Sequence, residues 1–200
     1  MGVTAAPPRV LVVDNGSRST RLVVRLVAEE GFQAIPVVTA AIADRIPAVN
    51  AVILTGTDVP VWNALYEAEI QLILSCPVPL LGLCGGHQLI GRAYGVDVER
   101  RPAVIGKTRV QLAPSVPLFD GLPREVALFQ RHVYALCGVP AGFELIATSD
   151  TCPVEGIGQL ARNLYGMQAH LEFRPDGRRI LRRFLARAKA ARPTQWRLAV

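Results

Sequence analysis

Residues 79–91 read Pro-Leu-Leu-Gly-Leu-Cys-Gly-Gly-His-Gln-Leu-Ile-Gly, and this stretch decides the fold. Residues 79–83 are a short apolar run that predicts a buried strand. Cys84 stands at the turn, and a helix is expected from about Gly86. The pattern Gly82-x-Cys84-x-Gly86 has the form of a nucleophile elbow with cysteine in place of serine. A side chain on so sharp a strand-to-helix turn crowds its neighbours, so small residues are needed two positions to either side. The turn leaves the sulfur exposed above the sheet, at a helix N-terminus whose dipole favours a thiolate. The backbone N–H of Gly85, just after the cysteine, is aimed at a developing oxyanion. Read alone, a cysteine between glycines is equally a buried structural residue. The rest of the chain has to separate the two.

Working outward, residues 9–14 (Arg-Val-Leu-Val-Val-Asp) are a continuous apolar run ending in an acid, as in a central parallel strand. Asn15-Gly16-Ser17 makes a turn, and a helix follows to about Glu30 with Leu22, Val23, Leu26 and Val27 on one face. Residues 32–38 predict a second strand, 51–54 a third, and 62–74 an amphipathic helix before the strand that feeds Cys84. Strands alternating with helices predict a doubly wound α/β sheet, where ligands gather at the carboxyl ends of the strands. Asp14, Thr55-Gly56-Thr57 and Cys84 all fall at such ends. After Gly95 the pattern changes. Residues 98–112, 125–134, 143–148 and 154–160 read as short strands of a small antiparallel extension. A last strand is expected over 163–169 and a last helix over 177–191, with residues 1–200 forming one domain.

Half of the residues are hydrophobic, but in short runs, and none approaches the roughly 20 apolar residues of a membrane helix. Residues 1–8 lack the charged and apolar regions of a secretion signal. Cys76, Cys84, Cys137 and Cys152 show no CxxC pairing, which argues against a zinc site or a disulfide framework. A cytoplasmic setting is expected. The net charge of +6 is unevenly placed: nine arginines and lysines from Arg174 onward face only Asp176, so the preceding residues sum to slightly negative.

A cysteine nucleophile wants a base within reach and a third group to orient that base. His87 follows Cys84 on the same helix start and is badly placed to face the sulfur. His132 has Arg131 beside it and no carboxylate nearby in sequence. His170 has Glu172 two residues on, a spacing that shares one face in extended backbone. The pair is therefore either a surface pair at a strand end or the remainder of a Cys84–His170–Glu172 triad.

The motifs around these residues resemble those of the class I (triad) glutamine amidotransferases. Gly82-Leu83-Cys84-Gly85-Gly86-His87-Gln88 is similar to the family's Gly-x-Cys-x-Gly-x-Gln, and residues 166–172 to its Gly-x-Gln-Phe-His-Pro-Glu. The resemblance covers essentially the whole chain, and within the family the glutaminase part of GMP synthetase is closest. Residues 14–22, 117–123 and 142–154 carry that narrower likeness. It implies hydrolysis of L-glutamine to glutamate and ammonia, without a cofactor or metal. Cys84 would be the nucleophile, His170 the base and Glu172 its orienting group. Gln88 would line the glutamine pocket. Gly85 and the loop through Gly56 and Thr57 would supply the oxyanion donors. A separate synthetase subunit of the ATP-pyrophosphatase type is expected to receive the ammonia.

The sequence also departs from the family. Thr57 replaces a glycine, and a positive φ there would strain a β-branched residue. Gly85 replaces a larger residue, and Arg131 stands where the family has serine. Ala169 and Leu171 replace the Phe and Pro around the histidine, which is expected to loosen the packing that aims it. Two other classes fit the same residues: a stand-alone cysteine hydrolase of γ-glutamyl bonds, which an accessory pocket with its own charge pairs for a bulkier substrate would favour, and a catalytically weakened regulatory subunit. On the last helix, Ile180, Leu181, Phe184, Leu185 and Ala188 mark the buried face. Arg178, Arg179, Arg182, Arg183 and Arg187 form a basic one. That face is either simply solvated or docks an acidic partner. No aromatic platform interleaves the arginines, so nucleic acid is not expected there.

Overall fold

The computed structural model describes residues 6–198. The first five residues, part of the stretch read above for a secretion signal, lie outside that range. In chain order the main elements are β1 (Arg9–Asp14), α1 (Thr20–Glu29), β2 (Gln33–Val38), β3 (Arg45–Val49), β4 (Ala51–Leu54), α2 (Glu67–Ser75), β5 (Leu80–Leu83) and α3 (Gly85–Ala93). There follow β6 (Val98–Leu112), β7 (Glu125–Leu136), β8 (Glu144–Thr148), β9 (Gly156–Gln159), β10 (Leu164–Met167), α4 (Pro175–Ala190) and β11 (Thr194–Arg197).

Nine strands make one mixed sheet in the order β2-β1-β4-β5-β10-β9-β8-β6-β7. The first five are mutually parallel. From β10 outward the pairing is antiparallel, so the extension continues the sheet rather than standing apart from it. Successive residues of the central strands feed opposite faces. Val10, Val12, Ile53, Leu81 and Leu83 pack under α1 and α4. Leu11, Val13, Val52, Leu54 and Leu80 pack under α2 and α3. Burial on both faces explains why β1, β4 and β5 are unbroken apolar runs.

Several boundaries differ from the sequence reading. The run 51–54 is the fourth strand, because β3 precedes it and pairs antiparallel with β11 in a small second sheet. Neither was expected: β3 contains Pro47, and only Ile46 and Val49 of its five residues are buried. The helix expected over 62–74 starts later. Asn63 accepts from the Leu65 N–H and caps a single 3₁₀ turn, Ala64–Tyr66, and α2 begins at Glu67. The strands expected over 154–160 and 163–169 shrink to β9 and β10. No helix among the described residues is long and apolar enough to cross a membrane.

The apolar face of α4 is buried at each expected position. Its arginines are more occupied than the charge pattern implied. Arg182 Nε lies 2.7 Å from Glu30 Oε1, Arg178 donates to the Glu172 carbonyl, Arg179 to the Gly121 carbonyl and Arg187 to Asn163.

Candidate active site

The parallel pairing of β5 with β10 builds the site. Leu83 lies opposite Met167, and the Cys84 N–H extends the ladder to the Met167 carbonyl at 2.9 Å. Each chain then leaves its strand, one at Cys84 and the other toward His170. Cys84 has φ 50° and ψ −104°, outside the helical and extended basins. Such a conformation costs on the order of 1–3 kcal/mol and persists only where the surroundings impose it. They do so through glycines. A Cβ on Gly82 would lie 2.5 Å from the Gly86 carbonyl group, and one on Gly86 would lie 2.6 Å from the Leu54 carbonyl oxygen. The spacing that suggested an elbow is thus a steric requirement on both sides of the sulfur.

His170 is held from three directions. Its N–H donates to the Phe129 carbonyl at 2.9 Å, and its ring sits edge-on to Phe129 and tilted against Phe173. Ala169 and Leu171 are fully buried beneath it. The packing is therefore not loosened, because Phe129 and Phe173 supply the aromatic contacts. His170 Nδ1 lies 2.8 Å from Glu172 Oε1, and the ring lies beside Cys84, the two side chains meeting across Gly56. Burial alone would lower the His170 pKa. The hydrogen bonds and charges of Cys84 and Glu172 outweigh it and raise the pKa to about 10.

Glu172 is buried and also accepts from the Ser19 hydroxyl at 2.5 Å, which ties it to the start of α1. Gln168 donates to the Cys84 sulfur at 3.6 Å and accepts from Gln88 Nε2 at 3.1 Å. Gln88 also donates to the Tyr134 carbonyl at 2.7 Å. Ser19 and Gln168 were not singled out in the sequence. Gln168 belongs to the motif that holds His170, which was a usable signal. Ser19 carried none, since only the fold brings it to a residue 153 positions away.

The loop after β4 closes the other side of the sulfur. A Cβ at Gly56 would meet His170 Cε1 at 3.2 Å and Cys84 Cβ at 3.4 Å, so the bare Gly56 backbone runs against both side chains. Thr57 is not strained, because Cys84 and Asn163 are the non-glycine residues with positive φ among those described. Its replacement of glycine and the glycine at position 85 are reciprocal. Thr57 Cγ2 occupies the place of a Cβ on Gly85, at 2.5 Å from it, and the Thr57 hydroxyl is pinned to Tyr66 at 2.7 Å.

The other histidines fall away as bases. His87 is fully buried against Gly166, and burial pushes its pKa down to about 3. His132 turns Nδ1 to the Tyr134 carbonyl at 3.1 Å, and burial lowers its pKa too. Of the other cysteines, Cys76 and Cys152 are buried, with thiols pushed up to about 12 chiefly by burial, and Cys137 is exposed.

A cavity of about 270 Å³ opens beside Cys84 and Gln88, bounded by Asp58, Arg131, His132 and Tyr134. A larger concavity of about 790 Å³ lies at the opposite end of the strands, between Cys76, Asn163 and Arg187. The smaller one is the candidate site: a strained cysteine, a histidine beside it and a carboxylate behind the histidine suit nucleophilic acyl transfer.

Comparison with known proteins identifies the family. The model of the glutamine amidotransferase class-I family matches residues 11–188. The chain is 33% identical over 196 residues to the glutamine-hydrolysing GMP synthase of Clostridium novyi, covering 95% of this chain but 38% of that protein. It is 30% identical over 203 residues to the enzyme of Aeropyrum pernix, covering 98% and 39%. It thus spans less than half the length of these relatives. Among solved structures, a protein from Thermoplasma acidophilum described as a GMP synthase subunit superposes with a TM-score of 0.84 at 27% identity, covering 92% of this chain and 96% of that one. A glutamine amidotransferase from Thermotoga maritima has the same fold, with a TM-score of 0.80 at 19% identity over 92% and 99% of the two chains. With its cysteine elbow, its histidine motif and a family match across nearly all of its length, the chain belongs to the class I glutamine amidotransferases.

Proposed function

We propose that this chain is a single glutaminase domain of the GMP synthase type, which hydrolyses L-glutamine and passes ammonia to a separate synthetase subunit. The observation that carries the reading is the His170–Glu172 pair, 2.8 Å apart, set beside Cys84, which opens onto the 270 Å³ cavity. Cys84 sulfur attacks the side-chain amide carbon while His170 takes the thiol proton. Backbone N–H groups of Gly85 and of the Gly56–Thr57 loop receive the charge that develops on the carbonyl oxygen. The C–N bond breaks as His170 returns the proton to the leaving nitrogen, so ammonia departs and a glutamyl thioester remains. Water then adds to the thioester, with His170 again as base, and glutamate and the thiol are released. Glu172 keeps Nδ1–H directed away from the sulfur, so that Nε2 serves it. Gln88 lines the pocket, and Gln168 steadies the sulfur.

The proposed partner rests on the relatives, which are longer chains named for GMP synthesis. An ATP-pyrophosphatase-type subunit would supply what they carry beyond this region. Both proteins would then act in the cytoplasm.

The test is ammonia release from L-glutamine, with and without lysate of the source organism, together with covalent labelling by an electrophilic glutamine analogue. Labelling is expected on Cys84 alone, and Cys84→Ala should abolish both labelling and turnover. Continued glutamine hydrolysis by Cys84→Ala would remove the assignment.

A further inference from the structure

We infer that Arg131 and Asp58, at the mouth of the Cys84 cavity, clamp the α-carboxylate and α-ammonium groups of the substrate. The site would then select free α-amino acids bearing a γ-acyl group over other amides. This rests on the reading of Cys84 as nucleophile toward a γ-amide.

A γ-amide carbon placed at the sulfur leaves the α-carbon three C–C bonds away, about 4 Å toward the mouth. The charged side chains lining that cavity are Asp58 and Arg131, one of each sign. An α-amino acid presents the same two charges, reversed, on one carbon. The pair is loosely made: Arg131 Nη2 and Asp58 Oδ1 are 3.9 Å apart, beyond hydrogen-bond range, with about half or more of each side chain exposed. An ion pair of this kind holds little energy of its own, so a substrate can separate it without much loss. Arg18 approaches the other Asp58 oxygen at 3.6 Å, which keeps the carboxylate at the mouth when Arg131 turns to a ligand.

The guanidinium fork suits a carboxylate, with two parallel donors. Its base is fixed close to the chemistry, since the Arg131 carbonyl accepts from the Cys84 thiol at 3.8 Å. The wall beside the clamp is apolar. Ile105 is the cross-strand partner of Arg131, and Val59, Pro60 and Val133 also line the mouth.

The test crosses three substrates with four proteins. L-Glutamine carries both α-groups, 4-aminobutanamide lacks the carboxylate, and glutaramic acid lacks the ammonium. The wild type should prefer glutamine to either analogue by ~10- to 100-fold in kcat/KM, the range of one charge-assisted hydrogen bond. Arg131→Ala should lose the preference over 4-aminobutanamide and keep that over glutaramic acid, through KM rather than kcat. Asp58→Ala should do the reverse, and Arg131→Lys should fall between. Rates of Cys84 labelling by a diazoketone analogue of glutamine, with and without its α-carboxylate, give the same comparison without turnover. Undiminished discrimination in Arg131→Ala, in either measurement, overturns the clamp. A wild type whose Cys84 neither turns over glutamine nor takes the label overturns the glutaminase reading instead.

Discussion

Replacing Gly85 by alanine would set a Cβ 2.5 Å from Thr57 Cγ2, 2.8 Å from the Thr57 nitrogen and 3.3 Å from its Cβ. Favourable carbon–carbon contact lies near 3.5–4.0 Å, so the first of these needs a movement of about 1 Å. Thr57 cannot swing aside. It is β-branched, its hydroxyl is 2.7 Å from that of Tyr66, and it accepts from the Val59 N–H at 2.9 Å. Either the loop after β4 or the elbow has to shift, and both carry proposed oxyanion donors. Overpacking of this sort costs ~1–3 kcal/mol. Losing the aim of one oxyanion donor costs ~10²- to 10³-fold in kcat.

The expected result for Gly85→Ala is therefore a drop in ammonia release of about that size, with a smaller fall in melting temperature. Thr57→Gly removes the closest contact and leaves the backbone nitrogen, so the double variant should recover at least ~tenfold of the loss. Thr57→Gly alone should cost less than Gly85→Ala. The assay is a double-mutant cycle in kcat, with melting temperature as control. Additive losses would refute the reasoning, since they would mean that the two positions do not compete for one space.

Two further outcomes are expected. His170→Asn should lower turnover by ~10²- to 10⁴-fold, and Glu172→Gln by less, because it orients rather than transfers the proton; equal damage from His132→Asn in steady-state assays would reassign the base. Glu69 is fully buried beside Asn15 and Thr39, and burial raises its pKa to about 7. The folded protein therefore holds a proton that the unfolded chain releases above the ordinary value of 4.5. Stability should fall as pH rises from about 4.5 to 7, by up to ~3 kcal/mol from this group, and stay level beyond. Glu69→Gln should remove most of that slope in thermal melts, and an identical slope in both proteins would exclude Glu69 as its source.

What the sequence disclosed follows from how local each feature is. β1, β4 and β5 are legible because burial on both faces leaves no polar residue to interrupt them. Cys84 and the His170–Glu172 pair are legible because steric demand fixes their neighbours, as Gly82 and Gly86 show. β3 and β11 are not, since each is short and half exposed, and they pair across 145 or more residues. The Ser19 contact with Glu172, the reciprocal sizes at 57 and 85, and the meeting of Asp58 with Arg131 each join segments far apart in the chain. The departure at Thr57 looked like a weakness because its compensating partner, Gly85, becomes a neighbour only in three dimensions.

The basic helix illustrates the same limit from the side of charge. Counting from the sequence makes the segment from Arg174 onward a cationic surface, either solvated or open to an acidic partner. Its geometry assigns much of that charge inward. Arg178 holds the carbonyl of Glu172, Arg182 meets Glu30 at the end of α1, and Arg179 reaches the Gly121 turn. These contacts tie α4 to the loop that carries His170 and to the helix whose first turn supplies Ser19. Net charge alone therefore overstates what α4 can offer a partner, because an arginine already bonded to a carbonyl must give up that bond to bind anything else. Among the described residues Arg183 and Lys189 make no such bond and stand exposed, so an acidic partner would find less encumbered contacts on α4 there.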